Sequence, residues 1–171
     1  MRKIILSLSL LFAFAFFIST GANAQKIGYV QVDSVASMMP EYKSATSELE
    51  GLQKVIQKKL QGEYQKIQAR QAELQQTVKN EQQQQAAQQE LETMYAKLEQ
   101  EQKQDEERFQ KKQNDLLFPI YEKIRAAIKE VGKEGNYVLI LNELDGTNTA
   151  YILYSAEGTD ITSLVIKKLG L

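Results

Sequence analysis

Apolar residues run through the middle of this chain in two sparse stripes. The first passes through Tyr42, Ala45, Leu49, Leu52, Ile56, Leu60, Tyr64, Ile67, Gln71, Leu74 and Val78, ten steps over 36 residues, a period of 3.6. That is the repeat of a nearly straight α-helix. The second passes through Leu91, Tyr95, Leu98, Gln102, Asp105, Phe109, Gln113, Leu116, Ile120, Ile124, Ile128 and Val131. Apolar side chains fill about two positions in seven, the width of a coiled-coil seam and too narrow for a globular core. The 78 residues between Pro40 and Pro119 contain no other proline and only two glycines, Gly51 and Gly62.

A single rod of about 90 residues would be ~135 Å long and would hold the two chain ends far apart. Each end carries strand-like sequence, and an isolated strand of this size is not stable alone. A hairpin removes the conflict. The stripe lapses over Asn80 to Gln85, ending in Gln82-Gln83-Gln84-Gln85, so the tip is expected near 80–85. Folding there sets Leu91 opposite Leu74, Leu98 opposite Ile67, Phe109 opposite Ile56 and Leu116 opposite Leu49. Arms of roughly 40 residues would reach ~60 Å. Pro40 suits the first helical position, and Pro119 predicts a kink because it cannot donate to the Asp115 carbonyl.

The flanks read as one small body. Ile27 to Val32 is rich in β-branched residues and reads as a strand. Asp33 is placed to cap a short helical turn through Met39, and Gly132 and Gly135 are stop signals for the long helix. Tyr137 to Leu141 reads as a strand covered on both faces. A turn at Asp145-Gly146 and a strand over Tyr151–Tyr154 complete a β-hairpin. Thr159 or Asp160 then caps an amphipathic helix carrying Ile161, Leu164, Val165 and Leu169. The fold class is α+β, predominantly α: a long antiparallel helical-hairpin arm on a small β-sheet body. Its divisions are 1–24, 25–39, 40–131 and 132–171. Ile27, Tyr29, Val138, Ile140, Tyr151 and Leu153 are candidates for core or subunit contact. A body of about 60 residues is of a size that oligomerisation commonly stabilises.

The N-terminus adds a location. Arg2 and Lys3 precede an apolar run, Ile4 to Ile18, and then Ala22-Asn23-Ala24, the pattern of a signal peptide cleaved after Ala24. The run is shorter than the ~20 residues that span a bilayer, so no stable membrane insertion is expected after cleavage. No cysteine is present to carry a lipid. Without Arg2 and Lys3 the chain keeps 19 basic and 22 acidic residues, a net charge of −3.

Chemistry is sparse. The chain has no histidine and no cysteine, which removes the common ligands for zinc, iron and copper and the usual general base. No phosphate-binding glycine loop or nucleophile elbow is present, so no enzyme and no cofactor are expected. Lys58-Lys59 and Lys111-Lys112 are doublets among acids, not the basic stripe that nucleic acid requires. Glutamine is abundant instead, at sixteen of the 56 residues from Glu63 to Phe118. It keeps helix propensity without adding charge. Between Gln100 and Lys112 only Phe109 is apolar, so the distal arm gains little from burial and should be soft.

The signal peptide, the opening Lys26-Ile27-Gly28-Tyr29-Val30 and Met39-Pro40-Glu41-Tyr42 at the helix entry resemble the Skp/OmpH-like periplasmic chaperones. So do Pro119-Ile120-Tyr121-Glu122-Lys123-Ile124, the Tyr137–Leu141 strand and Thr159-Asp160-Ile161-Thr162. The likeness covers essentially the whole mature chain. It implies a homotrimer with three helical tentacles that hold unfolded outer-membrane proteins without ATP and deliver them to the outer-membrane assembly machinery. Well-known members are strongly basic, whereas this mature chain is slightly acidic. Export, arms and missing catalytic groups point to an ATP-independent periplasmic holdase; the alternative is a periplasmic coiled-coil scaffold or spacer. Tyr64, Met94, Tyr95 and Phe109 are adaptable apolar candidates for client contact.

Overall fold

The computed structural model describes residues 25–144, 150, 152, 154–155 and 158–171. In chain order the elements are β1 (Ile27–Val30), α1 (Val32–Met38), α2 (Pro40–Thr77), α3 (Glu81–Glu134), β2 (Leu139–Asn142), β3 (Thr159–Asp160) and α4 (Thr162–Lys168). The 38 residues of α2 and the 54 of α3 make helices of about 57 and 81 Å. They pack against each other as the arm. Pro40 opens α2 as its first residue, where its missing N–H costs nothing.

The tip is tighter and earlier than expected. The chain reverses over Val78, Lys79 and Asn80, and the glutamine run Gln82–Gln85 is already helix. The Asn80 side chain accepts from the Gln83 amide at 2.9 Å, and Gln83 Oε1 accepts from the Lys79 amide at 2.9 Å. Asn80-x-x-Gln83 therefore works as a capping box shifted by one residue, and satisfies one free donor in the first turn of α3 and the Lys79 amide just before it.

At its other end α3 extends to Glu134, three residues beyond the expected boundary. Gly135 is the cap residue, and Asn136, not a glycine, takes the left-handed conformation at φ 53°. The Tyr137 amide donates to the Gly132 carbonyl and the Asn136 amide to the Lys133 carbonyl, which is a Schellman closure. Pro119 lies inside α3, and the helix continues through it.

Among the described residues the sheet has three strands in the order β2–β1–β3, and both pairings to the central β1 are parallel, which the expected β-hairpin does not supply. Ile27 faces Leu139 and Tyr29 faces Leu141 on one side; Gly28 faces Thr159 on the other. Parallel neighbours require a long crossover, and the entire arm is that crossover between β1 and β2. In the expected strand over Tyr151–Tyr154, Ile152 and Tyr154 form no ladder and Tyr154 is 85 % exposed. Tyr151, Leu153 and the Asp145-Gly146 turn lie outside the described residues. Among the described residues an antiparallel bridge, Leu144 to Ala150, lies within the expected hairpin.

The second edge of β1 goes to Thr159–Asp160, for which the sequence alone predicts a capping role. Here the two roles coexist. The Ile161 amide donates to the Tyr29 carbonyl at 2.9 Å, while Asp160 Oδ1 accepts from the Thr162 amide at 2.8 Å. Thr162 Oγ1 also accepts from the Gln31 amide. At the start of α1 the cap residue is Gln31, and Asp33 sits within the first turn, where its charge favours the positive helix end.

The core lies where the arm joins the body. Val30, Val35, Ala36 and Met39 pack with Ala45 of α2, with Ile120, Ile124, Ala127 and Val131 of α3, and with Ile161 and Val165. Gly28 admits this close packing: a Cβ there would stand 3.0 Å from the Tyr137 ring and 3.3 Å from Ile161 Cγ2.

Candidate functional site

Beyond the core the arm is held by a thin seam. Leu49, Ile67 and Leu98 are buried, while Ile56, Leu74, Leu91, Phe109 and Leu116 are half-buried. Ile67 and Leu98 line one shared cleft, and Leu74 and Leu91 line another. Leu116 shares a cleft with Ala45 and Glu48.

Ion pairs link the two helices along the arm. Near the body the acid stands on α2 and the base on α3: Glu41 with Lys123 at 2.8 Å and Glu48 with Lys112 at 2.7 Å. Farther out the polarity reverses. Lys59 of α2 reaches Asp105 at 2.8 Å and Glu101 at 3.3 Å, and Arg70 grips Glu90 through two nitrogens at 2.7 and 3.0 Å. These are solvent-screened pairs of modest individual worth. Their order specifies register, because sliding one helix by several turns would oppose like charges. The Lys123 ammonium, hydrogen-bonded to Glu41, holds that carboxyl below the usual carboxylate range, and Arg70 does the same to Glu90. The hydrogen bond from Lys59 to Asp105 raises the lysine's pKa. Asp105 is 8 % exposed, a charge set into the seam.

The four sequence-derived contact candidates separate. Tyr64 and Tyr95 are each 47 % exposed, at the flank of the seam. Met94 is half-buried in the cleft with Glu63, Ile67, Lys97 and Leu98. Phe109 is half-buried in the seam. At this height the contact line passes through Glu63 and Arg70, not Tyr64 and Gln71, and through Met94, not Tyr95. A count of apolar residues misses this, because the aliphatic stems of ionised side chains can cover a seam as well.

The body candidates also divide. Ile27 is 41 % exposed, Val138 65 %, and Tyr29 is half-buried, whereas Ile140 packs against the core beside Gly132. Leu139 and Leu141, paired with Ile27 and Tyr29, are also exposed. The run Tyr137–Leu141 therefore has one face left uncovered among the described residues, contrary to the expectation of cover on both. Tyr151 and Leu153 lie outside the described residues.

Among the described residues no acidic group is arranged to hold a metal ion, and no helix is long and apolar enough to cross a membrane. The model of the outer membrane protein (OmpH-like) family matches residues 26–169, which takes in both flanks and the arm. Comparison with curated proteins gives no match. Among solved structures, the crystal structure of an OmpH-like protein from Caulobacter crescentus, assigned as an outer membrane chaperone, aligns with a TM-score of 0.59. Identity is 14 %, over 87 % of this chain and 86 % of that one, so the likeness is one of fold. The family match, spanning strand, arm and closing helix, settles the assignment: the chain belongs to the OmpH-like outer membrane protein family.

Proposed function

We propose that this chain is an ATP-independent holdase of the periplasm, exported by a signal peptide cleaved after Ala24, that shelters unfolded outer-membrane proteins between helical arms. The observation that carries this reading is the arm. It rises from the core on two helices, and its distal seam is thin. Family membership supports a chaperone role. Several arms around one cavity require an oligomer. The exposed sheet face of Ile27, Leu139 and Leu141 offers an apolar surface for a homotrimer at the base. Delivery to the outer-membrane assembly machinery belongs to the same reading.

The decisive experiment dilutes a urea-denatured β-barrel into buffer containing the mature protein, without nucleotide, and follows light scattering. Scattering should be suppressed at about one trimer per client, with a trimeric mass in solution. Undiminished scattering at every ratio would sink the proposal.

A further inference from the structure

The arm has two chemically different long faces. On α2, Glu48, Val55, Lys59, Lys66 and Glu73 recur at steps of seven, four, seven and seven, which keeps them on one side of a helix. The partners of Lys59 and Arg70 lie across the seam from this side. Tyr64 is five residues from Lys59, about 140° away around the helix. One heptad beyond Tyr64 is Gln71, and one heptad before Tyr95 is Gln88.

Gln71 and Gln88 both line a groove of about 510 Å³ near the tip. Its rim is completed by Gln75 and Gln84, and its half-buried floor is Leu74, Val78, Ala87 and Leu91. No lining side chain is charged. From Tyr64 to Val78 this face extends about 21 Å along the arm, the length of about six residues of extended chain.

We infer that this glutamine–tyrosine face is where the arm takes hold of its client, and that the segment held is extended and uncharged. The inference rests on the holdase reading above and adds the face and the chemistry. An unfolded chain has backbone N–H and C=O groups without partners. A glutamine amide offers both two donors and an acceptor, so it can answer either backbone group in any sequence. The aliphatic floor and the two exposed tyrosine rings take up apolar side chains of the strand. The opposite face has charges that already pair with one another, and an uncharged segment has nothing to neutralise there. A second copy of this chain is the poorer occupant. Gln71 stands about 46 Å up α2 from Pro40, out of reach of a base joined through the sheet, and the groove has no charge with which to register another arm.

The test places a photo-cross-linking amino acid singly at Tyr64, Tyr95, Val55 and Lys97 in the mature protein, which is then mixed with a urea-denatured β-barrel. Cross-links from Tyr64 and Tyr95 should exceed those from Val55 and Lys97 at least fivefold. Val55 is the stringent control, since it is apolar and 65 % exposed on the charged face. Equal yields, or an excess from Val55, overturn the inference while leaving the holdase reading intact if scattering is still suppressed. Arm-to-arm cross-links from Tyr64 without client overturn it in favour of self-association. In a second arm, binding of a capped octapeptide of alternating valine and threonine is followed by anisotropy. The combined Q71E, Q75E, Q84E and Q88E variant, checked for retained helicity, should bind it at least tenfold more weakly; unchanged affinity overturns the proposal. If that variant loses helicity, Y64A with Y95A replaces it, with the same criterion.

Discussion

The two ends of the arm are built by different physics. At the root, Ala45, Ile120, Ile124, Ala127 and Val131 share one core with α1, β1 and α4. Beyond Leu49, the buried apolar residues of the described arm are Ile67 and Leu98, and the buried residue in the seam between them and the root is Asp105. The root is held by removal of apolar surface from water, which is long-lasting and unspecific. The outer half is held by helix propagation from that root and by exposed ion pairs that fix register more than they add stability. An arm of this kind is straight at rest and easily opened from the tip inward.

The largest test removes packing from each end. Ile124→Ala, at a residue 1 % exposed, should cost about 2–5 kcal/mol and lower the melting temperature of the whole protein. Ile56→Ala, at a half-buried site, should cost about 1 kcal/mol or less by the same cavity argument. Equal losses by calorimetry would erase the distinction between root and outer arm. A gain should come from Asp105→Leu combined with Lys59→Met, which exchanges the whole pair for apolar side chains. The expected increase is about 1 kcal/mol, or about 2–4 °C in melting temperature. A fall would show the Lys59–Asp105 pair to be a net stabiliser.

Acid should open the outer arm first, because ion pairs are a larger share of what holds it than at the root, where the Glu41–Lys123 pair is backed by the core. Lys66 and Arg70 hold the Glu63 and Glu90 carboxyls below their ordinary value of 4.5. Their contribution is therefore present above about pH 4.5 and is lost as pH falls through the depressed values. Hydrogen exchange near pH 3 should show amides around residues 63–90 opening before those around residues 120–131. Simultaneous opening would contradict the comparison. The smallest effect is in resting exchange at neutral pH, where protection should decline steadily from Ile124 toward Asn80.

Much of this was legible in advance because helices announce themselves locally. Both stripes, the start at Pro40 and the pairing of Leu74 with Leu91 follow from spacing within a few turns. What escaped was either nonlocal or carried by polar atoms. A two-residue strand such as Thr159–Asp160 has no pattern to read; its place is set by the free edge of β1, far away in the chain. The tip is governed by the side-chain amides of Asn80 and Gln83, and the end of α3 by Asn136. At the end of α3, Asn136 takes the left-handed conformation that a glycine commonly supplies. The division of the arm into a face of paired charges and a glutamine-rich face was present in the spacing, but apolar counting merged Tyr64 and Tyr95 with the seam.

Because the arm is the connection between two parallel strands, the order of assembly is constrained. Ile27 lies in the first described strand, and its neighbour Leu139 follows 112 residues later. Closing so long a loop is slow and comes late. The helices, built from contacts local in sequence, have time to zip together while the central strand still has both edges bare. A chain released or cut before Leu139 would have a finished arm and no base to mount it on.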